Sequence, residues 1–211
     1  MIRIFIFTLL FPITTFSAEL GTNFFSSSAG ISSQDLTVNG TRYSGDLFSY
    51  GIYYNHNLLP SEKKLGFDLS GSCGYSEGDL EFLDTKTFAY GFGITPFWDL
   101  GNTSLYSFAN FSWSKTDYVN SNSNAEYSIE ENLRVTGIGI QSVSNKLIFD
   151  TSLAFPENAK EFGVVMTYKL EENYNIFLGL NAYKADEQFT NDGSEIDYKS
   201  RGLVIGFNYS L

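Results

Sequence analysis

The chain has 211 residues, with 13 Lys and Arg against 24 Asp and Glu, so its formal net charge is −11. Nucleic-acid binding needs clustered basic side chains, and this acidic balance excludes it. Aromatic residues make up 17% of the chain, charged residues only 18%, and Gly occurs 19 times. Such a composition is typical of β-strands with one face toward lipid, although a secreted β-sandwich would share part of it.

The N-terminus has the pattern of a secretory signal peptide. Arg3 supplies a positive charge, residues 4–16 form an apolar run, and the small residues Ser17 and Ala18 follow. We predict a signal peptide over 1–18 and a barrel domain over 19–211. Cleavage after Ser17 and cleavage after Ala18 both stay open, and a buried apolar strand or helix is the alternative.

No other apolar run approaches the roughly 20 residues that a membrane-spanning helix needs. A membrane location therefore requires a closed β-barrel, which pairs every backbone group without helices. Alternation with period two continues along the chain, most clearly over 65–75, where Leu, Phe, Cys and Tyr alternate with small polar residues. We predict an all-β, closed, antiparallel, up-and-down transmembrane barrel, with ten strands, or eight because the first strand and the middle pair are weakly patterned.

The predicted connections alternate in length. The ten candidate strands are 20–31, 43–58, 65–76, 87–98, 103–116, 130–143, 146–155, 161–170, 174–184 and 198–211. The connections on one side of the barrel are long and polar: 32–42, 77–86, 117–129 and 185–197. The fifth connection on that side, 156–160, is brief. The connections on the other side are short: 59–64, 99–102, 144–145 and 171–173. This alternation predicts long extracellular loops and short periplasmic turns, with both termini on the periplasmic side.

Aromatic residues support the same topology. It places Trp98 near the periplasmic rim, and Trp113, Tyr43, Tyr75 and Tyr118 near the outer rim as an aromatic girdle. The candidate strand 103–116 carries aromatic residues on both faces. Tyr106 and Phe108 lie on one face, and Phe111 and Trp113 lie on the other. Either a β-bulge or bulky side chains that close the barrel interior would explain that pattern.

The last strand ends flush with the chain, with Leu203, Ile205, Phe207, Tyr209 and Leu211 on one face. The spacing of Gly206, Tyr209 and Leu211 resembles the C-terminal recognition signal of bacterial outer-membrane barrels, although Leu stands in place of the usual Phe and Val204 where a polar residue is common. The whole chain is similar to the small barrels of the OmpA and OmpX type. The resemblance implies insertion by the barrel assembly machinery into the outer membrane of a Gram-negative bacterium, with outer-membrane lipid and lipopolysaccharide as partners.

Few residues could carry catalysis. His56 is the only histidine, shares a face with Tyr54 and lies beside a predicted periplasmic turn, which favours a rim position. Cys73, the only cysteine, is expected to be a small apolar residue on a strand face. We therefore assign no catalytic, cofactor-binding or metal-binding residues, and no cofactor.

Acidic residues in the predicted loops offer two functional interpretations besides a solvated surface. They could work as paired carboxylates, or they could bind Ca²⁺ or Mg²⁺ at the lipopolysaccharide headgroups, because hard cations prefer carboxylate oxygens. The candidates are Glu77, Asp79, Glu81 and Asp84, or Glu130 and Glu131. The acidic segment 191–197 lacks the spacing of an EF-hand and is expected to be a loop tip.

The predicted interior contains four charged residues, Asp68, Arg134, Asp150 and Lys169. We expect opposite charges to pair there and brace the barrel, with a narrow polar conduit as the alternative. Barrels of eight to ten strands are filled by side chains, so a wide porin is not expected.

These features favour a non-enzymatic outer-membrane barrel whose acidic loops contribute to surface interaction or envelope integrity. Three alternatives stay open: a narrow, porin-like channel for ions or small solutes, a barrel enzyme that hydrolyses lipid or peptide, and a secreted β-sandwich adhesin.

Overall fold

The computed structural model describes residues 18–59, 64–81, 83–120, 122, 125–156, 159–189 and 195–211. The predicted signal peptide, apart from Ala18, lies outside these residues. The described part forms ten strands: β1 (Phe24–Val38), β2 (Thr41–Asn57), β3 (Leu65–Leu80), β4 (Leu83–Asp99), β5 (Thr103–Asn120), β6 (Ala125–Ser144), β7 (Leu147–Pro156), β8 (Ala159–Lys169), β9 (Tyr174–Phe189) and β10 (Glu195–Ser210).

Each strand pairs antiparallel with its neighbours in sequence, and β10 returns to pair with β1, which closes the barrel. The closing register runs without a shift from Phe24 opposite Ser210 to Val38 opposite Ile196. The predicted ten-strand, closed, up-and-down barrel is confirmed, whereas the eight-strand alternative and the β-sandwich are wrong. Among the described residues, no helix is long and apolar enough to cross a membrane.

The two ends of the barrel differ. At the terminal end lie the first and last described residues, Ala18 and Leu211, and the connections β2–β3, β4–β5, β6–β7 and β8–β9. At the hairpin end lie the other five connections. The polar segments expected as long loops at the hairpin end are largely strand, so they project as β-hairpins rather than as loops. Between β1 and β2 the turn is only Asn39–Gly40, both with positive φ (47° and 80°), the conformation that two-residue hairpin turns need.

Alternation along the strands separates outward-facing side chains, which are apolar over the middle of the barrel, from inward-facing side chains. On β10, for example, Leu203, Ile205 and Phe207 are exposed, whereas Val204 and Asn208 are buried. The final strand thus presents its predicted apolar face outward. In β5, Tyr106 and Phe108 are buried inside while Trp113 is exposed outside, and the register with β6 is continuous. The double-sided pattern of this strand therefore reflects bulky residues that close the interior, not a bulge.

Four buried aromatic rings lie against a glycine that is directly opposite on the neighbouring strand. The pairs are Phe97 with Gly66, Tyr106 with Gly139, Phe108 with Gly137, and Phe177 with Gly206. At each of these glycines an added Cβ would overlap the paired ring. Because these glycines have no side chain, they leave room for the rings. The rings fill the half of the barrel nearer the terminal end, which we call the lower barrel.

This arrangement predicts that Gly137→Ala destabilises the barrel, because the new methyl group would overlap the Phe108 ring and the carbonyl oxygen of Leu153. Overpacking of this kind lowers the free energy of unfolding by about 1–3 kcal/mol. Urea unfolding of the refolded barrel in lipid vesicles, followed by tryptophan fluorescence, measures the loss. Gly71→Ala is the matched control, since nothing lies within 4 Å of an added Cβ there. Equal stability of the two variants would contradict the packing argument.

Candidate functional site

The exterior carries a continuous band without charges, which we call the lipid belt. On the outward faces of its segments no Asp, Glu, Lys or Arg occurs, and many large apolar side chains are exposed, such as Phe48 at 50% and Ile205 at 61%. The belt comprises the outward residues of 25–33, 48–56, 65–75, 88–98, 105–113, 136–144, 147–155, 162–168, 174–182 and 203–209. Apolar exposure on this scale marks a surface that contacts lipid rather than water.

Two predicted members of the aromatic girdle lie elsewhere. Tyr118 is buried inside the barrel and Tyr43 packs against the same interior cluster, so both are wrong as girdle residues. Tyr43 is at an inward position of β2, and Tyr118 is at an inward position of β5. Trp98 is exposed at the terminal rim of the belt, and Trp113 lies at its opposite edge, where it stacks on Tyr90 with 5.5 Å between ring centroids.

At the terminal end, residues 18–22 fold into the barrel mouth, and we call them the mouth segment. Gln141 holds it from both sides: its Nε2 donates to the Ala18 carbonyl at 3.0 Å, and its Oε1 accepts from the Leu20 amide at 2.9 Å. The Gly21 amide donates to Asp68 Oδ2 at 3.0 Å. Lys169 Nζ forms an ion pair with Glu19 at 2.7 Å. The mouth is thus occupied by the chain's own backbone.

Above the mouth segment an apolar layer fills the lower barrel. Leu20 is the point of contact, because its side chain joins a buried cluster contributed by β4, β5, β6 and β7. The cluster consists of Leu20, Phe97, Tyr106, Phe108, Val135 and Ala154. A second buried cluster occupies the hairpin end and consists of Leu36, Leu80, Leu83, Tyr118, Tyr183, Ala185 and Tyr198.

Between the two clusters lies a polar chamber. On the β1–β5 side its wall consists of inward serines that retain partial solvent exposure, which indicates open space beside them: Ser32, Ser49, Ser72, Ser112 and Ser114. On the opposite side, Glu161 is only 1% exposed, and neither of its carboxylate oxygens has a hydrogen-bond partner. Glu131 of β6 also faces inward and is partly buried. The chamber wall is therefore lined by hydroxyl groups on the β1–β5 side, and two inward glutamates, the partly buried Glu131 and the buried Glu161, lie on the opposite side.

The predicted interior charges are only partly where we expected them. Asp68, Asp150 and Lys169 do lie inside, but Arg134 is exposed on the outward face, so its inward assignment is wrong. Arg134 is an even number of residues from Ile138 and Ile140 along β6, so its side chain lies on the same outward, lipid-facing side as theirs.

The expected bracing through pairs within this set of four is also not found. Asp68 accepts from Asn57 Nδ2 at 2.8 Å as well as from the Gly21 amide. Asp150 accepts from the Tyr106 hydroxyl at 2.6 Å and from Gln141 Nε2 at 3.2 Å. Neutral donors from the interior and the mouth segment thus satisfy these buried carboxylates.

The remaining candidates are scattered. His56 is exposed at the terminal rim and stacks on Tyr54, with 6.5 Å between ring centroids, as the sequence predicted. Cys73 is half-buried on the outward face. Glu130 and Glu131 project to opposite faces of β6, so they cannot act as a carboxylate pair.

The acidic residues of the β3–β4 hairpin do lie together. Asp79 is directly opposite Asp84, and Glu81 is in the turn between the two strands. Glu77 is opposite Lys86. In the described part of the chain, no group of three His, Cys, Asp or Glu residues is arranged to hold a metal ion. The tip of the predicted 191–197 loop falls outside the described residues.

Two inward residues of the interior, Glu161 and Gln141, were not among the residues predicted from the sequence. Glu161 shares the inward parity of Gly163, Thr167 and Lys169, so the alternation of β8 could have revealed it. Gln141 gave no signal, since its partners in the mouth segment are more than 120 residues away in sequence.

The fold is similar to that of solved barrels. The transport unit of the autotransporter AIDA-I from Escherichia coli matches with a TM-score of 0.58 at 10% identity, over 97% of this chain and 96% of that one. The translocator domain of the autotransporter NalP from Neisseria meningitidis matches with a TM-score of 0.54 at 12% identity, over 90% and 88%. No family model matches the sequence, and neither does any curated protein. At such low identity the likeness shows the fold alone, which is that of the transmembrane β-barrels of outer membranes.

The contacts of Gln141 lead to a prediction for the mouth segment. Gln141→Leu removes the acceptor of the Leu20 amide, and one net hydrogen bond corresponds to roughly tenfold in an opening equilibrium. We expect hydrogen exchange at the Leu20 amide, measured by NMR in detergent micelles, to accelerate about tenfold. The Gly21 amide should change less, because its acceptor is Asp68. Asn132→Leu, at an exposed outward position of the same strand, is the control; unchanged exchange at Leu20 in Gln141→Leu would contradict the assignment.

Proposed function

We propose that the chain is an integral, non-enzymatic barrel of a Gram-negative outer membrane, which presents polar β-hairpins at the cell surface and supports surface interaction or envelope integrity. The observation that carries this proposal is a lipid belt around an interior that side chains and the mouth segment occupy at both ends. Lipid covers the outside of the belt, and side chains occupy most of the interior. The polar surface that remains accessible is therefore concentrated at the hairpin end.

The proposed orientation places the terminal end in the periplasm. The first and the last described residues both lie at that end, and at the hairpin end the strands extend beyond the lipid belt, as the longer extracellular segments of bacterial barrels do. The hairpin end would then face the exterior. Insertion by the barrel assembly machinery is part of the proposal, supported by the outward apolar face of the final strand.

Translocation of a passenger is not proposed, although the two similar structures are transport units of autotransporters by name. A passenger needs a continuous lumen. In this chain Phe97, Tyr106 and Phe108 pack with Leu20 across the lower barrel. Enzymatic action is not proposed either, because His56 lies on the outward face, away from the acidic chamber.

Lipopolysaccharide with divalent cations is the proposed surface environment of the β3–β4 hairpin. Asp79 and Asp84 are like charges in direct cross-strand register, and both are exposed. Such a pair is unfavourable by itself and is relieved by a bound cation. Because no complete ligand set exists in the described residues, the cation would be shared with lipid phosphate.

Planar-bilayer recording tests the closed interior. We expect the purified full chain to give no reproducible conductance, because the apolar clusters at both ends exclude hydrated ions. Outer-membrane fractionation of cells that express the chain tests the location in parallel. Stable single-channel currents would overturn the closed-interior function, and recovery in the soluble fraction would overturn the membrane function.

A narrow cation pathway is the second candidate, favoured by the serine-lined chamber, the inward-facing Glu131 and the buried Glu161. Cation-selective currents that Glu161→Gln reduces would support it over the closed barrel. Glu130→Gln, an exposed outward change on β6, is the matched control and should leave any current unchanged.

A further inference from the structure

At the hairpin end, the wall of the barrel has a gap where β7 and β8 are shorter than their neighbours. β6 begins at Ala125, but its pairing with β7 stops at Val135, opposite Pro156, which has no N–H to continue the ladder. The pairing of β8 with β9 starts at Ala185, although β9 continues to Phe189. Two strands are therefore missing from the upper wall between β6 and β9, and we call this gap the notch.

One side of the notch is an unpaired strand edge. Residues 125–134 of β6 pair with β5 throughout, from Ala125 opposite Asn120, but no strand in the described part of the chain pairs with their other edge. Successive residues of a strand direct their N–H and C=O groups to opposite edges, so this edge offers about five donors and five acceptors. The lipid belt begins only at Thr136 on β6, so lipid tails do not cover these groups.

The side chains along this edge are mainly acidic. Glu126 and Glu130 are exposed on the outward face, and Glu131 faces inward. Oε1 of Glu131 is buried and has no hydrogen-bond partner among the described residues. Arg134 is the only basic residue in the sequence of the segment 125–134. A strand added to the edge would place side chains about 5 Å from these glutamates, so basic side chains suit it best.

We propose that the notch binds a basic, extended segment of another protein, which adds to β6 as an antiparallel strand. Backbone hydrogen bonds to the free edge supply the affinity, and opposite charges across the new strand pair select the segment. A second copy of this chain is a poor occupant, because two acidic edges repel each other. The inference rests on the proposed membrane location and surface role, for which it names the kind of partner.

Hydrogen exchange of the full chain in detergent micelles, measured by NMR, tests the proposal. The probe is a blocked nine-residue peptide of threonine and valine, with lysine at the positions opposite Glu126, Glu130 and Glu131. We expect the peptide to slow exchange at alternate amides of 125–134, namely those directed into the notch. The same peptide, N-methylated throughout, keeps its charge but has no N–H donors, and we expect it to leave exchange unchanged.

Variants of the chain test the selection by charge. Each pair of opposite charges across two strands strengthens binding roughly threefold, so Glu126→Gln/Glu130→Gln should weaken binding of the peptide about tenfold. Asp46→Asn/Glu77→Gln is the matched control, because it removes two charges from exposed outward positions of β2 and β3. We expect the control to bind the peptide as the unmodified chain does. Heat-modifiable migration in gels checks that each variant is folded.

Several outcomes would overturn the proposal. Equal binding of the N-methylated peptide, or equal losses in the two variants, would mean general attraction by charge. Failure to bind, or binding without slower exchange in 125–134, would mean that the edge is not a docking site. Protection of these amides without peptide, in a chain that migrates as a dimer, would assign the edge to a second copy. Fractionation tests the membrane location separately, so loss of this partner would leave that location standing.

Discussion

Pairing of the first strand with the last is the constraint on which the rest of this structure depends. In hydrocarbon, an unpaired backbone N–H or C=O costs several kcal/mol, so a sheet with two free edges cannot remain there. The register between β1 and β10 is continuous over the full length of β1. Once the sheet is closed, alternate residues of every strand must face either lipid or a confined interior, and a slip by one residue in any strand would exchange the two faces.

Closure with ten strands leaves an interior that needs filling, and the chain fills it unevenly. At the terminal end, cross-strand glycines admit four aromatic rings, and the mouth segment adds Leu20 beneath them. In the middle, serines and glycines line the wall and leave the chamber. Because the aromatic layer and the mouth segment pack on each other through Leu20, closure of the lower barrel depends on contacts between the first described residues and strands from the centre of the sequence.

The two-residue alternation of apolar and polar side chains predicted most of the fold, because this alternation is present within each strand separately. The hairpin extensions were missed because outward residues beyond the lipid belt are polar, so their strands resemble loops in composition. Residue type gave the wrong face for Arg134, Tyr43 and Tyr118. The alternation of inward and outward positions along their own strands gives the correct face for each. The contacts of Gln141 with the mouth segment could not be predicted, since they join distant parts of the chain and leave no periodic signal.

The structure treats charge differently inside and outside. Asp68 and Asp150 are satisfied by amide, hydroxyl and backbone donors, which fix their positions without a buried cation. Outside, above the lipid belt, oppositely charged side chains meet across strands: Lys86 is opposite Glu77 and Asp117, and Lys115 is opposite Glu130. Such exposed pairs each contribute little to stability, because water screens them. The buried carboxylates therefore need specific donors that fix their positions, whereas the exposed charges need only a register that keeps most like charges apart.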